Sequence, residues 1–386
     1  MGPLVAVMLA GMSLVACETA ESAGSPSASA DMVLRRVLDT DGGAGVMAAV
    51  ARNGEIVWSG AAGSADIEQD VALRPDSKLR IGSVSKTLAA ALALRMVMAG
   101  ELDLDADIRA YVPEAPERAP KITPKLLAAH LSGVRHFDFS NFFEANNVVY
   151  RPTLADGLAS FLDEPLLAPP GTEFNYSSHG YDLLGAAMER AGGASYAALF
   201  ARHVAGPFGL SNTTVDHPFD IIEDRARFYT VTFEYPAFGW TRDGDLVNTI
   251  VRDGSDYYPS GGMLSTAEDL AVFAAKFFES ALIDEEFKTL ALEPARLSDG
   301  RIAQDAEGDM TVDISFGWRI ARNADGSVDY YGHNGETNGG YALLRYYPAE
   351  KLAVAAVANY NTPGRNASFF ELIGAELPQL YHRNYQ

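Results

Sequence analysis

Cysteine is almost absent from this chain: one residue, Cys17, in 386. A single thiol excludes an intramolecular disulfide framework and a cysteine-ligated zinc or iron–sulfur site. Histidine is scarce too. The seven (His130, His136, His179, His203, His217, His333 and His382) show neither H-E-x-x-H nor any other ligand spacing, so no metal is expected; no cofactor is expected either. Basic residues are outnumbered: 30 Lys and Arg face 51 Asp and Glu, a formal net charge of −21. That balance argues against nucleic-acid partners and against electrostatic attraction to anionic lipid. No apolar run reaches the roughly 20 residues that a membrane-spanning helix needs. What is present, 48% hydrophobic and 10% aromatic residues, describes an ordinary globular protein.

The lone cysteine is placed informatively. Residues 4–16 (LVAVMLAGMSLVA) form an apolar run that ends at Cys17. Its length fits the apolar region of an export signal. Leu14-Val15-Ala16-Cys17 resembles a bacterial lipobox, which implies cleavage before Cys17 and lipid attachment to its thiol. The expected location is then the cell envelope or periplasm, with the membrane touched only through that anchor. One departure is that residues 1–16 contain no Lys or Arg; a plain secretory signal with an incidental cysteine is the alternative. Residues 18–30 (ETAESAGSPSASA) are small and polar and read as a flexible tether.

The folded part is expected from about Asp31. Asp31–Asp39 carries a short amphipathic helix pattern with Asp31 as N-cap. In GVMAAVARNGEIVWSGAAG (45–63), two apolar runs flank Asn53-Gly54, the strongest two-residue hairpin signal. Near the other end, Asp329–Tyr331, Gly340–Tyr347 and Leu352–Asn359 read as strands, and a helix is expected at about Ala367–Leu377. Between these ends the pattern is mostly helical. Ser85–Ala99 is almost wholly apolar and should be a buried helix stopped by Gly100. Ser265-Thr266-Ala267-Glu268 has capping-box spacing ahead of a helical period. Strands at both ends and helices between them imply an α+β fold: one antiparallel sheet built from both termini (about 31–95 and 310–386), with a mainly helical insertion (about 96–309). The cleft between the two parts is the default place for a site.

Three motifs could carry chemistry. In Ser83-Val84-Ser85-Lys86 the serine and lysine stand one helical turn apart at the head of the buried helix, on one face. A helix N-terminus there would favour a developing oxyanion. Lys86 is the only basic residue between Arg80 and Arg95, and an isolated charge on an apolar helix needs a partner or a task. The second motif is Tyr176-Ser177-Ser178; a phenol beside a cation can become a base. The third is His333-Asn334-Gly335, where glycine lets backbone approach a ligand and offer N–H groups to an oxyanion. Each motif alone also fits a structural reading: a helix start with a lysine, a turn tyrosine, a hairpin entry.

In this order and spacing the three motifs resemble those of the serine β-lactamases and penicillin-binding proteins, most of all the class C-type branch with its esterases, D-aminopeptidases and carboxypeptidases. LRIGSVSKTLAA (79–90), GELDLDADIRAYVPEAP (100–116), AAHLSGVRHF (128–137), NYSSHGYDLLG (175–185) and PSGGMLSTAEDLAVFA (259–274) are similar to that branch as well. HLSGVRH resembles the mitochondrial lactamase-like serine protease subgroup and its bacterial relatives. The resemblance implies a β-lactamase-like fold and an acyl-enzyme on Ser83, with Lys86 its partner and Tyr176 the base. It also implies that His333 and Gly335 line the substrate strand, and that the N–H groups of Ser83 and Glu336 form the oxyanion hole. Two positions depart from the pattern. Ser178 stands where many β-lactamases have Asn, and His333 where they have the Lys that binds the substrate carboxylate. His130 and His136 are expected to be structural.

The expected function is therefore a serine hydrolase of small esters or peptide amides, with a small molecule or peptide as partner. A β-lactamase is the alternative within that chemistry. A non-catalytic binding protein is the alternative outside it, since the mitochondrial subgroup forms filaments. Selectivity would come from Tyr229, Tyr235, Trp240, Tyr257 or Tyr258, if those middle-loop residues reach the cleft.

Overall fold

The computed structural model of the chain describes residues 25–116, 120–138, 140–141, 144, 148–230, 233–235, 240–242, 245–249, 252–307, 310–362 and 368–382. Cys17, the export signal and residues 18–24 of the expected tether lie outside these residues. The fold begins earlier than Asp31. Helix α1 spans Pro26–Asp41, with Ser25 as N-cap accepting from the Ala28 N–H and Pro26 in the first turn. Proline there loses no hydrogen bond and comes with its φ already helical. Ala30, Val33, Leu34 and Val37 are buried, and that apolar stripe is what fixes the segment.

The Asn53-Gly54 turn has φ of 49° and 79°, the left-handed pair that a tight hairpin requires. It joins strands β1 (Gly45–Arg52) and β2 (Glu55–Asp66). A short β3 (Val71–Ala72) follows. Late in the chain come β4 (Gln304–Glu307), β5 (Met310–Ile314), β6 (Arg319–Arg322), β7 (Val328–Thr337), β8 (Gly340–Tyr347) and β9 (Leu352–Ala358). They form one nine-stranded antiparallel sheet in the order β4-β5-β6-β7-β8-β9-β1-β2-β3, so the two chain ends meet where β9 pairs with β1.

Both faces of the central strands are covered. On β1, Met47, Ala49 and Ala51 face one core, and Val46, Ala48 and Val50 face the other. The second core is closed by α1 and the helical segment Phe369–Tyr381, π-helical to Glu376 and α-helical beyond it, where a helix is expected at about 367–377; Ala367 lies outside the described residues. The first core is closed by helix α4 (Ala267–Glu279), which packs across β1 and β9 although its sequence lies within the helical insertion. The N-cap of α4 is Thr266, which accepts from the Asp269 N–H, rather than Ser265. Glu268 does not close a capping box; it takes a hydrogen bond from Ser59 at 2.5 Å, because α4 docks onto β2.

Helix α2 (Ser85–Met98) runs through the first core, and every residue from Ser85 to Leu94 is buried. Each buried leucine there contributes about 1.5–3 kcal/mol. Helix α3 (Ser178–Gly192) packs beside it. Among the described residues no helix is long and apolar enough to cross a membrane.

Candidate active site

Ser83 sits in a single 3₁₀ turn, Gly82–Val84, that runs directly into α2. Two neighbours hold the turn. Leu79–Arg80 pairs with Met263–Ser265, and the Ile81 N–H donates to the Met263 carbonyl at 3.1 Å. On the other side lies β7. Strand β6 pairs with β7 only as far as Gly332, so the stretch 333–337 meets the Ile81–Ser83 turn instead. Gly82 has φ of +50°, and a Cβ there would stand 2.8 Å from the Glu336 carbonyl oxygen. A Cβ on Gly335 would stand 2.1 Å from the Ile81 carbonyl oxygen. Only glycine permits backbone to meet backbone so closely. The approach brings Gly335 and Glu336 beside the turn that carries Ser83.

Lys86 is fully buried, and its ammonium is held by three oxygens. It donates to Ser83 Oγ at 3.2 Å, Ser178 Oγ at 3.0 Å and the Ser260 carbonyl at 2.6 Å. A buried lysine survives only with such partners. Its Nζ also lies 5.0 Å from the centre of the Tyr176 ring. Ser83, Lys86, Tyr176 and Ser178, distant in sequence, thus share one location. Ser83 and Tyr176 keep partial exposure there, whereas Ser178 is buried.

His333 completes the wall, with its ring 6.2 Å from that of Tyr176. It is buried, and its Nδ1 is 2.6 Å from the Asn334 carbonyl. Burial first, then the Arg319 and Lys86 charges, push its imidazole well below the ordinary histidine range. It is therefore a neutral group and not a replacement for a lysine.

Several participants were not legible as such. The Ser260 carbonyl belongs to the PSGG turn, which Tyr257 organises by accepting from the N–H groups of Ser260, Gly261 and Gly262. Arg319 lies 5.5 Å from the Tyr176 ring centre and is pinned by Asp305 and Glu307 at 2.8 and 3.2 Å. Asp182, one turn beyond Ser178, is buried. Loss of solvent raises its carboxyl, against the pull of His179, Ser260 and Lys86. His179 stacks on Phe161 and reaches Glu144 at 2.8 Å.

Of the expected selectivity residues, Tyr257 and Tyr258 are buried. The Tyr229 hydroxyl is taken by Glu68 and the Ile67 N–H, away from the site. The side chains of Tyr235 and Trp240 lie outside the described residues. A cavity of about 500 Å³, lined by Ile108, Val134, Phe161, Leu166, Ala168 and Leu183 among others, lies apart from Ser83.

A family model described as Beta-lactamase matches residues 31–373. The chain is 29% identical over 307 residues to the human serine beta-lactamase-like protein LACTB, mitochondrial, covering 62% of this chain and 54% of that one. It is 36% identical over 204 residues to Esterase EstB of Burkholderia gladioli, covering 49% of this chain and 51% of that one. The chain therefore spans about half the length of these curated relatives. In fold it is similar to the D-amino acid amidase of Ochrobactrum anthropi, with a TM-score of 0.75 at 20% identity over 94% of this chain and 99% of that one. A penicillin-binding protein of Bacillus halodurans gives a TM-score of 0.72 at 22% identity over 88% of this chain and 98% of that one.

Proposed function

The chain belongs to the beta-lactamase family of serine hydrolases, and from that membership we propose that it hydrolyses small esters or amides through an acyl-enzyme on Ser83. The observation that carries this reading is the buried Lys86, whose Nζ touches both Ser83 Oγ and Ser178 Oγ. Ser83 Oγ attacks the carbonyl carbon, and its proton passes to the Lys86–Tyr176 pair. The oxyanion forms beside the N–H groups of Ser83 and Glu336, at the positive end of α2. The C–O or C–N bond then breaks, and the pair returns the proton to the departing alcohol or amine. Water repeats the sequence on the ester: its proton goes to the pair, its oxygen to the carbonyl, and Ser83 leaves with the proton. Ser178 steadies Lys86, and His333 and Gly335 form the wall along which the substrate lies.

The esterase and amidase relatives support ester or amide turnover. β-Lactam turnover is the weaker reading, because the neutral His333 supplies no cation for a substrate carboxylate. The test compares a short-chain nitrophenyl ester, a D-amino acid nitroanilide and a chromogenic cephalosporin, with wild type and Ser83→Ala. Turnover of the ester or the anilide by wild type and not by Ser83→Ala is expected. Turnover that survives in Ser83→Ala, or none by wild type, overturns the reading.

Export and lipid attachment at Cys17 belong to the same proposal, on the strength of the Leu14–Cys17 pattern. Metabolic labelling with an alkynyl fatty acid should mark the full chain and not Cys17→Ser; equal labelling of both removes the anchor.

A further inference from the structure

The HLSGVRH segment contributes nothing to the chemistry described above, yet it is wrapped around the residues that do. The Ser177 N–H donates to His130 Nδ1 at 3.0 Å, and the next N–H, of Ser178, donates to His136 Nδ1 at 3.2 Å. The Asn175 N–H donates to the His130 carbonyl at 3.0 Å, and Ser177 Oγ donates to the Arg135 carbonyl at 2.7 Å. The same two rings enclose Tyr176: His130 lies 4.4 Å from its ring centre and His136 meets it edge-on at 5.3 Å. The segment itself is tightly determined. His130 holds φ of +58°, rare for a residue with a side chain, and at Gly133, with φ of +75°, a Cβ would stand 2.2 Å from the Ala168 carbonyl oxygen. A backbone held in a costly conformation and fixed from several sides is characteristic of a site that needs position.

We propose that His130 and His136 are positioning residues: two neutral imidazoles, each accepting a consecutive backbone N–H through Nδ1, that set the place of the Tyr176 ring and of Ser178 Oγ against Lys86. The proposal rests on the acyl-enzyme reading of Ser83, Lys86 and Tyr176. The Ser177 N–H belongs to the N-cap of α3 and the Ser178 N–H to its first residue, so the clamp grips the start of that helix. The acceptor role requires the proton on Nε2 in both rings. Their surroundings keep them neutral. His130 faces Lys86, His333, Arg319 and His136, and His136 faces Lys86, His179, Arg135 and the opposing Glu144. In both, burial is the larger cause and pushes the imidazole down, for His136 to about 3.

An asparagine places its Oδ1 where histidine carries Nδ1, so it preserves the acceptor while removing the ring; leucine removes both. Asparagine also tolerates the φ of residue 130. The experiment measures kcat and KM for the ester, and the rate at which a fluorophosphonate labels Ser83, in His136→Leu, His136→Asn and His130→Asn. His136→Leu should lose about tenfold or more in kcat and labelling rate with KM changed less than threefold, since a displacement near 1 Å costs up to a hundredfold. His136→Asn and His130→Asn should stay within threefold of wild type. A folded His136→Leu with wild-type kcat overturns the proposal, and so does a His136→Asn as impaired as the leucine variant. If His136→Leu does not fold, His136→Gln, whose acceptor sits one bond too far out, replaces it and must be slower than His136→Asn; equal rates overturn the proposal. Failure of wild type itself to be labelled is a different result, which removes the reading of Ser83 and the clamp with it.

Discussion

Replacing Gly335 by alanine is the most direct way to disturb the meeting of β7 with the Ser83 turn. The new Cβ would stand 2.1 Å from the Ile81 carbonyl oxygen and 3.2 Å from the Ala342 Cβ. The first contact is shorter than any real Cβ–oxygen distance by about 1 Å, and the second blocks escape toward β8. Both partners are backbone-fixed, so β7 and the Ile81–Ser83 turn must part by about that distance. Overpacking of this kind costs about 1–3 kcal/mol of stability, which a chain with two large cores should survive. For reactivity the same displacement is severe: misplacing reacting groups by about 1 Å costs on the order of a hundredfold. The assay is kcat/KM for the nitrophenyl ester alongside a urea melt. The expected outcome is a folded Gly335→Ala protein with activity reduced about a hundredfold. A folded variant within threefold of wild type would refute the claim that this contact sets the oxyanion geometry.

Three further outcomes follow from the site. Lys86→Met strips the Ser260 carbonyl of its donor, at about 1–3 kcal/mol, but also relieves the burial of an ammonium, which costs several kcal/mol. Urea midpoints should therefore move little while kcat/KM falls about 10²–10⁴-fold; a collapse of the fold would make Lys86 structural. Tyr176→Phe keeps the ring contacts and should lose most turnover while its thermal midpoint stays near wild type; retained turnover removes Tyr176 as the base. Acid should weaken the fold through His136. Its folded imidazole lies near 3, below the ordinary 6.5. Below pH 6.5 the unfolded chain therefore binds a proton that the folded chain refuses, and stability drops as pH falls. At pH 5 this amounts to about 2 kcal/mol, so urea melts at pH 7.5 and pH 5 should differ by about that much less in His136→Asn. An equal loss in both proteins would contradict it.

The parts legible in the sequence were those set by local rules. Asn53-Gly54 took the left-handed pair its chemistry favours, and the apolar stretch after Ser83 became the buried α2. Ser83 and Lys86 kept the three-residue spacing that puts them on one face. The start of α1 was written locally too, in Ser25-Pro26, but the small polar composition of 18–30 outweighed a cap whose value depends on Ala30 and Leu34 finding the sheet. What could not be read depends on tertiary meeting. The Ser260 carbonyl reaches Lys86 across 174 residues. His130 and His136 reach Ser177 and Ser178 across 47 and 42. Arg319 comes to the Tyr176 ring only because β6 begins beside it. A backbone carbonyl leaves no residue-type signature, and a histidine in the sequence does not say which N–H its Nδ1 will meet, so side-chain patterns cannot announce these contacts.

The central claim is that Ser83 is the atom acylated. Intact-protein mass spectrometry after treatment with a fluorophosphonate, followed by peptide mapping, tests it directly. One adduct per chain, on the peptide that holds Ser83 and absent from Ser83→Ala, is the expected result. A folded wild-type protein that takes no adduct, or a Ser83→Ala protein that takes the same one, would contradict it.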